Sequence, residues 1–135
     1  MFYTETIELT TEKNSVTDIT PEMKRVLEKS GVKNGLIVVE VPHSTAGVMA
    51  TTGGPVEVRE DLMHEVKRVV PSRINFRHEE SPDDAAGHIK CGLFGNSITG
   101  IVKDGKMVSD GKLGYFFMEY DGPRARKYCI AVMGE

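Results

Sequence analysis

Apolar and polar positions run along the chain with two different periods, and each change of period marks a predicted element. Phe2 to Thr10 is rich in β-branched and aromatic residues and predicts a strand. A polar stretch, Thr11 to Thr17, leads to a helix with Thr20 as N-cap, Pro21 at its first position and Gly31 after its last periodic residue. Met23, Val26 and Leu27 form its apolar face. Gly35 to Val41 is a run of apolar β-formers and predicts a central strand. Pro42-His43-Ser44-Thr45-Ala46 interrupts it, and Gly47 to Thr51 resumes extended structure. After the loop Gly53-Gly54-Pro55, Val58, Leu62, Val66 and Val69 fall on one face of a second helix, which Pro71 ends.

Arg73 to Gly87 is polar, contains Pro82 and two adjacent aspartates, and predicts a long loop of the kind that is usually functional or mobile. From His88 the pattern turns to β, with Ile89, Cys91 and Leu93 alternating with Lys90 and Gly92. Ser97 to Val102 is the next strand, Asp104-Gly105 a hairpin turn. Leu113 to Tyr120 and Arg126 to Met133 are two more strands, joined across Asp121-Gly122-Pro123-Arg124. Single helices alternating with hairpins predict an α+β fold rather than a doubly wound sheet. Leu113 to Met118 is apolar on both faces, more than two helices are expected to cover, so a partner subunit is expected.

Composition changes this picture little. The chain has 135 residues, enough for one domain spanning 1–135 and for burial of roughly 65–70% of the surface its unfolded form exposes. A net charge of −3 with scattered Lys and Arg leaves no electrostatic footprint for nucleic acid. No apolar run approaches the ~18 residues that span a bilayer, and Met1 to Glu5 lacks a signal-peptide pattern. Cys91 and Cys129 lie in apolar runs without a thiol-activating motif, which predicts buried free thiols and a cytoplasmic protein.

Candidate chemistry rests on the histidines. His43 stands where a strand end meets the small, hydroxyl-rich Ser44-Thr45-Ala46, a setting that frees backbone N–H groups for a ligand. His88 also lies at an element terminus, His78 is in a polar run, and His64 reads as a solvated helix residue. His43, His78 and His88 are candidate metal ligands without the local spacing of a helical His pair. Phosphate-loop, dinucleotide and nucleophile-elbow motifs are absent. Glu119 and the turn ending in Arg124 place a carboxylate beside an arginine, a pair suited to holding a cation and an anionic group side by side.

Four segments in order, His43-Ser44-Thr45-Ala46-Gly47, Arg59-Glu60-Asp61-Leu62, Ala86-Gly87-His88-Ile89-Lys90 and Glu119 to Arg126, resemble the YjbQ-like family, also called the secondary thiamine-phosphate synthase family. The resemblance covers essentially the whole chain. It implies a β-sandwich of about seven mostly antiparallel strands with two helices, assembled as a homotrimer. It implies catalytic roles for His43, His88, Asp61, Glu119 and Arg124, and ligand contacts from Ser44, Thr45, Lys90 and Arg124. It also implies a metal or anion near His43, His78 and His88; the ion, Mg or Zn, is not identified. The activity implied is weak joining of hydroxymethylpyrimidine diphosphate to thiazole phosphate, with release of pyrophosphate. The alternatives are a non-catalytic trimer that binds a metal or small anionic metabolite, and a metal-dependent hydrolase. The chain departs from the family at Thr51-Thr52, where Asn-Glu is usual, and at Asp110 to Leu113, where Gly-Thr-Trp-Gln is usual.

Overall fold

The computed structural model describes residues 1–73, 75–78 and 81–135. The elements, in chain order, are β1 (Phe2–Thr10), β2 (Val16–Asp18), α1 (Thr20–Ser30), β3 (Gly35–Glu40) and β4 (Ala46–Thr52). They continue with α2 (Val56–Val69), α3 (Pro82–Phe94), β5 (Ser97–Lys103), β6 (Lys106–Met107), β7 (Leu113–Glu119) and β8 (Ala125–Gly134). Every strand pair is antiparallel, in a five-stranded sheet ordered β1-β8-β3-β5-β6 and a three-stranded sheet ordered β2-β7-β4. No helix among the described residues is long and apolar enough to cross a membrane.

The predicted helix and turn punctuation forms as read, with one shift. Gly31 takes the left-handed conformation that ends α1, at φ 72°. Asp104 and Gly105, at φ 52° and 79°, make the two-residue turn between β5 and β6. Thr20 does not cap α1. Its hydroxyl accepts the Tyr115 backbone N–H at 2.8 Å, while Asp18 accepts the N–H of Thr20.

The larger core lies between the sheets and α1. Ile37, Val39, Tyr128, Ile130 and Val132 from one sheet meet Val48, Tyr115 and Phe117 from the other, with Met23, Val26 and Leu27 of α1. Alternate residues of β7, Phe116 and Met118, point the other way and pack with Met63 and Val66 of α2. Both faces of β7 are therefore covered by this chain, which removes the reason for expecting a partner there. On α2 the buried face is Met63 and Val66, with Val58 and Leu62 half-buried and Val69 exposed.

Among the described residues, three helices and eight strands replace the expected two and about seven. The largest correction is α3, where a loop to Gly87 and a strand from His88 were expected. Ser81 caps it, accepting the N–H of Asp84, and Pro82, Asp83 and Asp84 fill its first turn. Period two at Ile89, Cys91 and Leu93 competes with period 3.6 at Ala86 and Lys90, and tertiary burial of Ala86 and Lys90 decides. Gly87 gives the docking room, since a Cβ there would stand a tight 3.2 Å from the Thr45 side chain. Cys91 thus lies in a helix, and both cysteines are free and half-buried. The part of the loop prediction that falls on 74, 79 and 80 lies outside the described residues.

Candidate functional site

Residues 42–45 leave β3 and turn into β4, and this places His43 against β8. Its Nε2 accepts the backbone N–H of Lys127 at 3.1 Å. Burial, aided by the nearby Arg126 guanidinium, holds the imidazole below its ordinary pKa. Ser44 is exposed, but Thr45 is buried and its hydroxyl accepts from Arg126 Nη2 at 2.7 Å. His43 lines a 480 Å³ cleft with Glu8, Thr10, Arg126 and Lys127.

Glu119 ends β7 with no solvent exposure. It accepts from Arg126 Nε at 2.7 Å, Arg126 Nη2 at 2.5 Å, the Thr11 hydroxyl at 2.5 Å and the Asp121 N–H at 3.2 Å. Burial alone would raise its pKa; the Arg126 and Thr11 bonds outweigh it and hold the carboxyl below the usual range. With both oxygens filled, Glu119 anchors the 119–126 hairpin.

That hairpin turns Arg124 outward. Arg124 pairs with Asp121 at 2.5 Å and approaches Asp84 Oδ1 at 3.5 Å. The same Asp84 oxygen lies 4.0 Å from His88 Nε2, one helical turn away on α3. His78 stacks on His88 with ring centroids 5.7 Å apart and planes 19° apart, Phe76 adjoins His78 at 5.8 Å, and the Arg73 guanidinium covers Phe76 at 4.7 Å. The half-exposed Arg124, Asp84 and His88 therefore make a surface cluster that combines an anion-holding group, a carboxylate and an imidazole.

The structure thus divides the expected site. His78, His88 and Arg124 come together; His43, Thr45 and Glu119 form a second, more buried group around Arg126. Asp61 is exposed on α2 and joins neither. Lys90 is buried on the other side of α3, in a cavity apart from Arg124. Two residues that organise these groups, Arg126 and Asp84, had no role in the sequence reading. Arg126 is legible as an inward position of a strand, two residues from Arg124. Asp84 is legible only once α3 is a helix, because it sits four residues before His88.

Among the described residues, no three His, Cys, Asp or Glu side chains are gathered where they can hold a metal ion. The His78 and His88 rings meet face to face rather than by converging lone pairs, His43 Nε2 is taken by Lys127, and Glu119 is saturated. The described donor set of this chain does not fit a divalent cation.

The two departures from the family pattern are neighbours. Thr52 pairs with Leu113 and Thr51 with Gly114, at the opposite end of the β4–β7 ladder from the Ala46–Glu119 pair. They line neither group of this chain's candidate residues.

Comparison with known proteins agrees over the full length. A family model described as UPF0047 protein YjbQ-like matches residues 5–135. A UPF0047 protein of Methanocaldococcus jannaschii is 37% identical over 126 residues, covering 93% of this chain and 90% of its own. YugU, a UPF0047 protein of Bacillus subtilis, is 32% identical, covering 93% of this chain and 94% of its own. The crystal structure of a YbjQ-like protein of unknown function from Sulfolobus solfataricus superposes with a TM-score of 0.93 at 28% identity, covering 100% of this chain and 99% of that one.

Proposed function

This chain belongs to the YjbQ-like UPF0047 family, and we propose that it is a group-transfer enzyme for small phosphorylated metabolites, using the α3 face that carries His88. The observation that supports this is the placement of Asp84 between His88 and Arg124, at 4.0 and 3.5 Å. An imidazole with a carboxylate 4.0 Å away is suited to general acid–base work through the charge beside it, and a half-exposed guanidinium to neutralising a phosphate.

The finer reading is the thiamine-phosphate synthase reaction. The bond from the pyrimidine methylene carbon to the diphosphate oxygen breaks, and pyrophosphate leaves with the electron pair. The thiazole nitrogen lone pair forms the new C–N bond. Arg124 balances charge developing on the leaving group, and His88 supplies it a proton. No step is routed through a metal, because the described donor set does not fit one. The homotrimer implied by the resemblance belongs to the same proposal. Ile89 and Leu93, one turn apart on α3 and both exposed, are apolar surface that such an assembly would cover.

The test is pyrophosphate release from the pyrimidine diphosphate and thiazole phosphate by wild type, His88→Ala and Arg124→Ala. Turnover in wild type that falls by about 10²-fold or more in His88→Ala supports the reading. Absence of turnover in wild type, with and without added magnesium or zinc, overturns it in favour of a non-catalytic protein that binds an anionic metabolite.

A further inference from the structure

Lys90 is 2% exposed and lines a cavity, and among the described residues its ammonium makes no hydrogen bond or ion pair. Burial lowers its pKa, with Lys67 adding to the effect and Asp83 opposing it. A lysine buried along its stem that turns an unpaired charge into a cavity has either a function for it or a missing partner.

Its surroundings identify the partner. Lys90 lines a cavity of 540 Å³ with Lys13, Asn14, Lys67, Pro71, Ser72 and Asp83. Asp83 is already satisfied, ion-paired with Lys13 and accepting from the Ser72 hydroxyl. The cavity therefore holds three lysines and one carboxylate, an excess of two positive charges. Asn14 adds a buried side-chain oxygen that lacks a hydrogen-bond donor.

We propose that the Lys90 cavity, between the β1–β2 connection, the C-terminal end of α2 and α3, binds the phosphate group of a small metabolite. A doubly charged phosphate balances the excess charge. Its oxygens accept from Lys90 and Lys67, and a neighbouring hydroxyl of the ligand donates to Asn14. This site is distinct from the Arg124 cluster and does not depend on the reading of His88, since binding is measured without turnover.

The experiment is titration of the purified protein with inorganic phosphate and with pyrophosphate, by calorimetry and by thermal midpoint, against sodium chloride at matched ionic strength. Wild type is expected to bind one of the two and to be stabilised as the ligand concentration passes its Kd. Lys90→Met, unbranched and one atom shorter, is expected to bind at least tenfold more weakly while folding as well as wild type, because it removes a charge that has no ion-pair partner. Lys67→Met changes an exposed residue and is expected to weaken binding several-fold, which keeps the test intact if Lys90→Met fails to fold. Equal affinity in wild type and both lysine variants overturns the proposal, as does a wild-type response no larger than that to sodium chloride.

Discussion

Arg126 and Glu119 face each other across the 119–126 hairpin in a two-point ion pair, with Nε–Oε1 at 2.7 Å and Nη2–Oε2 at 2.5 Å. Both side chains are almost wholly buried, at 5% and 0% exposure. The pair fixes the turn that carries Arg124, and through Arg126 it also pins Thr45 beneath α3.

Breaking this pair on one side leaves a buried charge without a partner. Arg126→Met is expected to cost about 3–5 kcal/mol of stability in urea unfolding. The double variant Arg126→Met/Glu119→Leu is expected to recover at least half of that loss, since two apolar side chains remove the orphaned charge. Additive losses in the double variant would show that the two residues act separately.

His43 makes stability depend on pH. Its folded pKa lies below the ordinary 6.5, chiefly through burial, and its Nε2 serves as an acceptor only when unprotonated. Just below pH 6.5 the unfolded chain therefore binds more protons than the folded one, and the contribution is lost as pH falls through 6.5 toward the folded value. His43→Gln keeps an acceptor that does not titrate. Unfolding midpoints between about pH 7.5 and pH 5.5 are expected to fall less steeply for the variant than for wild type; parallel slopes would remove His43 as the cause.

Two glycines of α3 are expected to respond in opposite directions. Gly92 faces open space, so Gly92→Ala should gain up to ~1 kcal/mol of helix propensity and raise the thermal midpoint. At Gly87 the new methyl would meet the Thr45 side chain at 3.2 Å, and Thr45 is held by Arg126. Gly87→Ala should lower the midpoint despite the better propensity. A rise in both would mean that Thr45 yields easily.

Asp84→Asn probes the charge beside the imidazole. The variant keeps the side-chain volume and removes the carboxylate charge that lies near both His88 and Arg124. In the pyrophosphate-release assay kcat is expected to drop by at least about tenfold with unchanged folding. An unaltered kcat would leave Asp84 a purely structural partner of Arg124.

Local signals in the sequence carried much of this fold. Pro21 and Gly31 bracket α1, and Asp104-Gly105 sets its hairpin, because each depends on backbone chemistry at one or two residues. The segment 82–94 was illegible as a helix because two glycines and an alternating apolar triplet masked a good cap at Ser81. That one misreading hid the Asp84–His88 relation and also the buried position of Lys90. The family resemblance named Glu119 and Arg124 together, but only coordinates separate the saturated anchor from the outward-facing group. Nothing in the spacing of Thr52 and Leu113 announces that they neighbour each other, since their strands meet through β-sheet register rather than sequence.

The position of β8 bears on how the chain is made. It lies between β1 and β3, and Thr6 pairs with Cys129, 123 positions away. A ribosome delivers β1 and β3 long before the strand that joins them, so both expose unsatisfied edges until it arrives. Assembly of the large sheet must wait for residues 125–134 to emerge, which favours slow folding and a nascent chain that relies on shielding until then.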